Sequence, residues 1–210
     1  MRRINRIILL CVLLSIFSLC LPSNEYEMAL SYLAFSGENL IQGKVWTPIT
    51  ALFLHADPMH LAGNMIFLFV FGNTLEKEIG SKKTLAAFLI GGILSFLLST
   101  YFYDPGTPLI GASAAIFTLT SIVMLVKPLK FSILFLMPQG LIAILYFIYN
   151  VAAVHFEVQG NIAFNSHIIG FILGMPLGIA WSKDWKKNLA ITFVLLVIFY
   201  ILQIFLLQIL

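Results

Sequence analysis

Cysteine and charge are both scarce in this chain, and each scarcity excludes something. Only Cys11 and Cys20 occur in 210 residues, both within the first apolar run. With no partners elsewhere they make neither a disulfide framework nor a thiolate metal site. Charged residues amount to 10%, and the formal net charge is only +3. No basic patch with interleaved aromatics is present, which argues against nucleic acid as a partner. Low-complexity tracts and clear internal repeats are also lacking. What fills the space is apolar: 60% of residues are hydrophobic and the mean hydropathy is +1.01. A soluble domain cannot hide that much apolar surface, so the composition describes a polytopic membrane protein in contact with a lipid bilayer.

Seven apolar segments are expected, at residues 5–22, 58–76, 84–103, 112–126, 131–152, 161–182 and 188–210. The longest linker, 23–57, has amphipathic stretches and should fold on or into one membrane face. Arg2, Arg3 and Arg6 ahead of Ile7–Leu21 could open a signal peptide. A clean small-x-small cleavage site is missing, however, and Leu19 before Cys20 spoils a lipoprotein site, so an uncleaved first helix is expected. In a seven-span arrangement, Arg2, Arg3, Arg6, Lys77, Lys82, Lys83, Lys127, Lys130, Lys183, Lys186 and Lys187 fall on one side, and Lys44 alone on the other. The positive-inside rule makes the first side cytoplasmic. The N-terminus is then cytoplasmic and the C-terminus extracytoplasmic, most simply in the cell (plasma) membrane.

The fourth segment is too short. A helix from Ala112 to Val126 measures about 22 Å at 1.5 Å per residue, against roughly 30 Å for a bilayer core. Its N-terminus, carrying Ser113, should lie below one surface, where free backbone N–H groups are tolerated only inside protein or beside water. Counting from each segment's cytoplasmic lysine places Ser113 about 21 Å, His167 about 24 Å, Asn64 about 20 Å and His60 about 26 Å above it. Four polar side chains from three parallel segments thus share one layer, nearer the outer side. A lone intramembrane serine more often bonds its own i−4 carbonyl, and a lone asparagine is more often interhelical glue. The set together reads differently. Serine with histidine suits nucleophilic acyl transfer. His60, Asn64 and the free Ser113 N–H suit stabilisation of an oxyanion. Gly170 and Gly174, in G-x-x-x-G spacing after His167, would let the sixth segment approach the small residues around Ser113. Glu76, at the inner end of the second segment, is either solvated or bonded to loop backbone, with no catalytic role.

These residues resemble a known family. His55-x4-His60-x3-Asn64-Met65, Gly72-x3-Glu76-x3-Gly80, Gly111-Ala112-Ser113-Ala114 and His167-x2-Gly170-x3-Gly174 are similar in order and spacing to the rhomboid intramembrane serine proteases, over about residues 43–182. The resemblance implies an all-α membrane bundle: a six-helix rhomboid-like core over 1–187 and one additional transmembrane helix at 188–210. It implies Ser113 as nucleophile, His167 as general base and His60 with Asn64 in the oxyanion hole. His55 would be structural, bonding within the long first loop, and Phe117 would set a ring against His167. No metal or cofactor is implied. The substrates would be single-pass transmembrane proteins, cut near their outer ends at small residues in helix-weakened stretches. Departures are Ala114 for the family's usual Gly, Thr47 where many members have Arg, and Ser166 where Ala is common. The rival reading is a catalytically inactive rhomboid-like protein that binds transmembrane helices, which would need neither Ser113 nor His167. A transporter would scatter polar residues through the whole depth. Oligomeric state is not legible.

Overall fold

The computed structural model describes residues 2–158, 160 and 162–209. The expected segment bounds at Asn161 and Leu210, and the start of the core at Met1, lie outside them. The chain opens with α1 (Arg3–Leu19). The long first loop folds into α2 (Ser23–Leu33), α3 (Gly37–Ile41), α4 (Thr47–Thr50) and a 3-10 turn at Ala51–Phe53. Next, α5 (Pro58–Phe67) passes through a π-helical turn, Leu68–Gly72, into α6 (Asn73–Ile79) without a break. The remaining helices are α7 (Ser81–Ser99), α8 (Ser113–Val126), α9 (Gln139–His155), α10 (Phe164–Trp181) and α11 (Trp185–Ile209). The architecture is the expected all-α bundle. By length and composition α7, α10 and α11 can cross a membrane, while α8 and α9 are apolar but shorter.

The short helix is the centre of the molecule. Every residue from Ala114 to Leu125 is buried, with α7, α9, α10 and α11 packed around it. A helix enclosed on all sides needs no charged face, and its hydroxyls at Thr118, Thr120 and Ser121 donate to backbone carbonyls. Its last carbonyls still need donors. Asn188 of α11 supplies them, its Nδ2 donating to Leu125 O at 2.7 Å and Val126 O at 3.3 Å. The first turns of α11 are thereby tied to the core, and Thr192 is fully buried. The outer turns of α11, by contrast, expose Val197, Tyr200, Ile201 and Phe205.

Two expectations need correction. The fifth segment is not helical from residue 131. Phe131–Ser132 and Met137–Pro138 pair as a short antiparallel hairpin, β1 and β2, and helix begins only at Gln139. Hydropathy measures transfer into lipid, not conformation; a residue before proline is disfavoured in the α region, and Pro138 occupies the N-cap of α9. Glu76 also bonds elsewhere than expected. Its carboxylate accepts from the backbone N–H of Arg3 at 2.9 Å and Ile4 at 3.0 Å, and from the Ser81 hydroxyl. It therefore caps the start of α1, where unpaired donors and the helix dipole both favour an anion.

Candidate active site

The residues that precede Ser113 are clamped before the helix begins. Phe35 and Leu109 exchange backbone hydrogen bonds of 3.1 and 2.7 Å, and Gly111 N–H donates to Ala51 O at 2.8 Å. Gly111 has φ +116°, a conformation that side chains resist. Space forbids a side chain there as well. A Cβ on Gly111 would lie 2.9 Å from His60 Cε1 and Nε2 and 3.7 Å from Asn64 Nδ2. The glycine thus admits both α5 side chains against the backbone two residues before Ser113. Asp57 starts α5 by accepting from His60 N–H at 2.8 Å, with Pro58 in the first turn, and this sets the phase of the helix that presents them.

His55 sits behind this turn and is fully enclosed, at 1% exposure. Its Nδ1 lies 2.9 Å from Ser15 Oγ of α1, and its Nε2 accepts from Ala112 N–H at 3.4 Å. Ser15 in turn donates to Phe53 O at 3.1 Å. The bonds of His55 therefore run to α1 and to the turn before α8, not within the first loop as expected. Burial is the main reason its pKa is lowered to about 3, with His60 contributing and Asp57 opposing.

Ser113 occupies the first turn of α8, after Ala112. Its Oγ stands 2.8 Å from His167 Nε2. The close approach of α10 makes this possible: Cβ atoms on Gly170 and Gly174 would run into Ala114 O, and into Thr118 O with Ser121 Oγ, respectively. Thr118 Oγ1 donates to Gly170 O at 2.9 Å and binds the same seam. The Phe117 ring stacks on the His167 imidazole, with centroids 4.6 Å apart and planes 7° from parallel. Asn64 Nδ2 is buried and has no hydrogen-bond partner among the described residues. Ala114 is helical and has no positive φ, so a side chain after Ser113 is accommodated. Thr47 is buried and donates to Lys44 O at 2.9 Å; Ser166 Oγ pairs with Ser99 Oγ of α7 at 2.7 Å.

A profile of the Rhomboid domain matches residues 42–184, more than half of the chain. The chain belongs to the rhomboid family. Rhomboid relatives named Rhomboid protease GlpG match across most of it. The Haemophilus influenzae protein is 25% identical over 183 residues, 86% of this chain and 91% of the relative. The Salmonella newport protein is 26% identical over 183 residues, 87% of this chain and 64% of the relative. Rhomboid-like protein 11, chloroplastic, of Arabidopsis thaliana is 37% identical over 79 residues, 38% of this chain and 28% of the relative. The chain thus spans less than two thirds of the Salmonella and Arabidopsis proteins.

One residue at the rhomboid site was missed by the sequence reading. Asn150 of α9 holds Oδ1 2.8 Å from His167 Nδ1. The signal was available: an asparagine in mid-helix, about 16 Å along α9 from Gln139, is an intramembrane polar group of the kind that singled out Asn64.

Proposed function

We propose that this rhomboid is an intramembrane serine endopeptidase. The observation that carries the reading is the 2.8 Å contact between Ser113 Oγ and His167 Nε2, made in the first turn of a buried helix. His167 takes the hydroxyl proton as Oγ attacks the carbonyl carbon of a peptide bond. The negative charge moves to the carbonyl oxygen. Donors for it are His60, Asn64 Nδ2 and the backbone N–H of Ser113, which at the start of α8 has no intrahelical acceptor. A buried amide left unpartnered costs free energy, and an incoming oxyanion would remove that cost. The intermediate collapses to an acyl-enzyme as the amine leaves with the proton held by His167. Water then attacks the ester, giving up its proton to His167, and Ser113 is regenerated. The substrates are transmembrane segments, because the nucleophile lies at membrane depth, toward the extracytoplasmic side when the lysine-rich ends face the cytoplasm.

The test is cleavage of a fluorescently tagged transmembrane substrate in proteoliposomes. Ser113→Ala and His167→Ala should each abolish cleavage while thermal unfolding stays cooperative. His60→Ala or Asn64→Ala should slow it about 10² to 10³-fold, the usual cost of one oxyanion donor. Cleavage retained in Ser113→Ala or His167→Ala rejects the assignment and favours a helix-binding protein without peptidase activity.

A further inference from the structure

We propose that Asn150 is a positioning residue that fixes the tautomer of His167, an inference that rests on the Ser113–His167 reading. Asn150 is 2% exposed, within apolar α9. Both ends of its amide are engaged. Nδ2 donates to Tyr146 O at 2.7 Å, and Oδ1 faces His167 Nδ1 at 2.8 Å. Flipping the amide would set its oxygen 2.7 Å from the Tyr146 carbonyl, two acceptors in contact, so this orientation is imposed by the helix backbone. Oδ1 can only accept. Nδ1 of His167 must then carry the proton, and the neutral ring has its lone pair on Nε2. That nitrogen is the one that meets Ser113 Oγ. The asparagine therefore selects the tautomer able to take the serine proton. The stacked Phe117 ring holds the plane of the imidazole, and Asn150 sets its rotation within that plane.

The bond also changes during the reaction. When Nε2 takes the serine proton, Nδ1–H becomes a donor on a cation, and hydrogen bonds from charged donors are shorter and stronger. Asn150 thus holds the transition state more tightly than the ground state, an effect that appears in kcat and not in KM. The carboxamide stays neutral throughout; the only proton that moves in this step goes from Ser113 Oγ to Nε2.

The experiment compares wild-type protein with Asn150→Ala, Asn150→Asp, Ser113→Ala and His167→Ala in the proteoliposome cleavage assay. It is paired with 15N NMR of histidine-labelled wild-type protein, in which His167→Ala assigns the His167 signals. Asn150→Ala should lower kcat about 10- to 100-fold, the loss of one hydrogen bond to a charged group, with KM unchanged. Asn150→Asp keeps an acceptor oxygen and should recover most of the loss. The wild-type spectrum should show His167 protonated on Nδ1 at neutral pH. Wild-type kcat in Asn150→Ala, or a His167 protonated on Nε2, overturns the proposal; the spectrum decides even if Asn150→Ala does not fold. Wild-type rates in Asn150→Ala beside an inactive Ser113→Ala would reject this inference alone. Activity retained in Ser113→Ala would reject the peptidase reading instead.

Discussion

His55 shows how much one buried side chain can commit a structure to a pH range. In an unfolded chain a histidine protonates near pH 6.5, whereas in the fold its pKa is lowered to about 3, first because it is buried. Between those values the unfolded state binds a proton that the native state refuses. The contribution of His55 is therefore complete above about pH 6.5 and is lost progressively as the pH falls toward 3. Unfolding midpoints measured in detergent at pH 7 and pH 5 should fall more for the wild type than for His55→Gln. An equal fall in both would show that His55 does not carry the dependence. At this scale the sequence was informative about chemistry and blind to partners. The family resemblance implied a structural role for His55 with bonds inside the first loop, but Ser15 lies 40 residues earlier on α1. Asn150 stands out as a polar residue in an apolar helix, but nothing in the local sequence says that His167 faces it.

At the scale of elements, the decisive contact is α8 against α10. Two glycines four residues apart let the backbones meet, and the same seam sets the distance from Ser113 to His167. A methyl group on Gly170 would fall on Ala114 O, which is backbone and cannot rotate away. Gly170→Ala should therefore cost about 1 to 3 kcal/mol of stability, as overpacking does, and should also reduce cleavage by moving His167. Gly63→Ala is the control, since a Cβ there meets nothing within 4 Å and alanine favours helix. Thermal unfolding and cleavage of the two variants check this. Equal midpoints would show that the seam yields. The G-x-x-x-G spacing was readable beforehand because helical period is a local property. The hairpin at residues 131–138 was not, since apolar composition alone does not distinguish a lipid-spanning helix from a short strand pair. The grip of Asn188 on the end of α8 was equally hidden, being a contact between residues 62 and 63 positions apart.

For the whole molecule, the topology proposed from the skew of lysine and arginine, with the lysine-rich ends in the cytoplasm, would put the end of α1 on the outer face of the membrane. Cys20 follows α1 and is exposed, whereas Cys11 is buried. A membrane-impermeant maleimide applied to intact cells should label Cys20, and Cys20→Ser should remove the label. Labelling that appears only after permeabilisation would invert the topology. The sequence by itself determined that the chain is a membrane helical bundle and where most of its helices lie, and it predicted a common depth for Ser113, His167, His60 and Asn64. Those properties follow from hydropathy, charge and rise per residue, all of which add up along one strand of chain. Only the tertiary structure decided that Ser113 meets His167 Nε2, that Asn150 holds the opposite nitrogen, that Phe117 lies flat on the ring, and that Gly111 makes room for His60 and Asn64. Depth along an axis is a single coordinate. Rotation about each helix and the choice of neighbours are set by packing between segments far apart in sequence, and hydrogen-bond geometry depends on them.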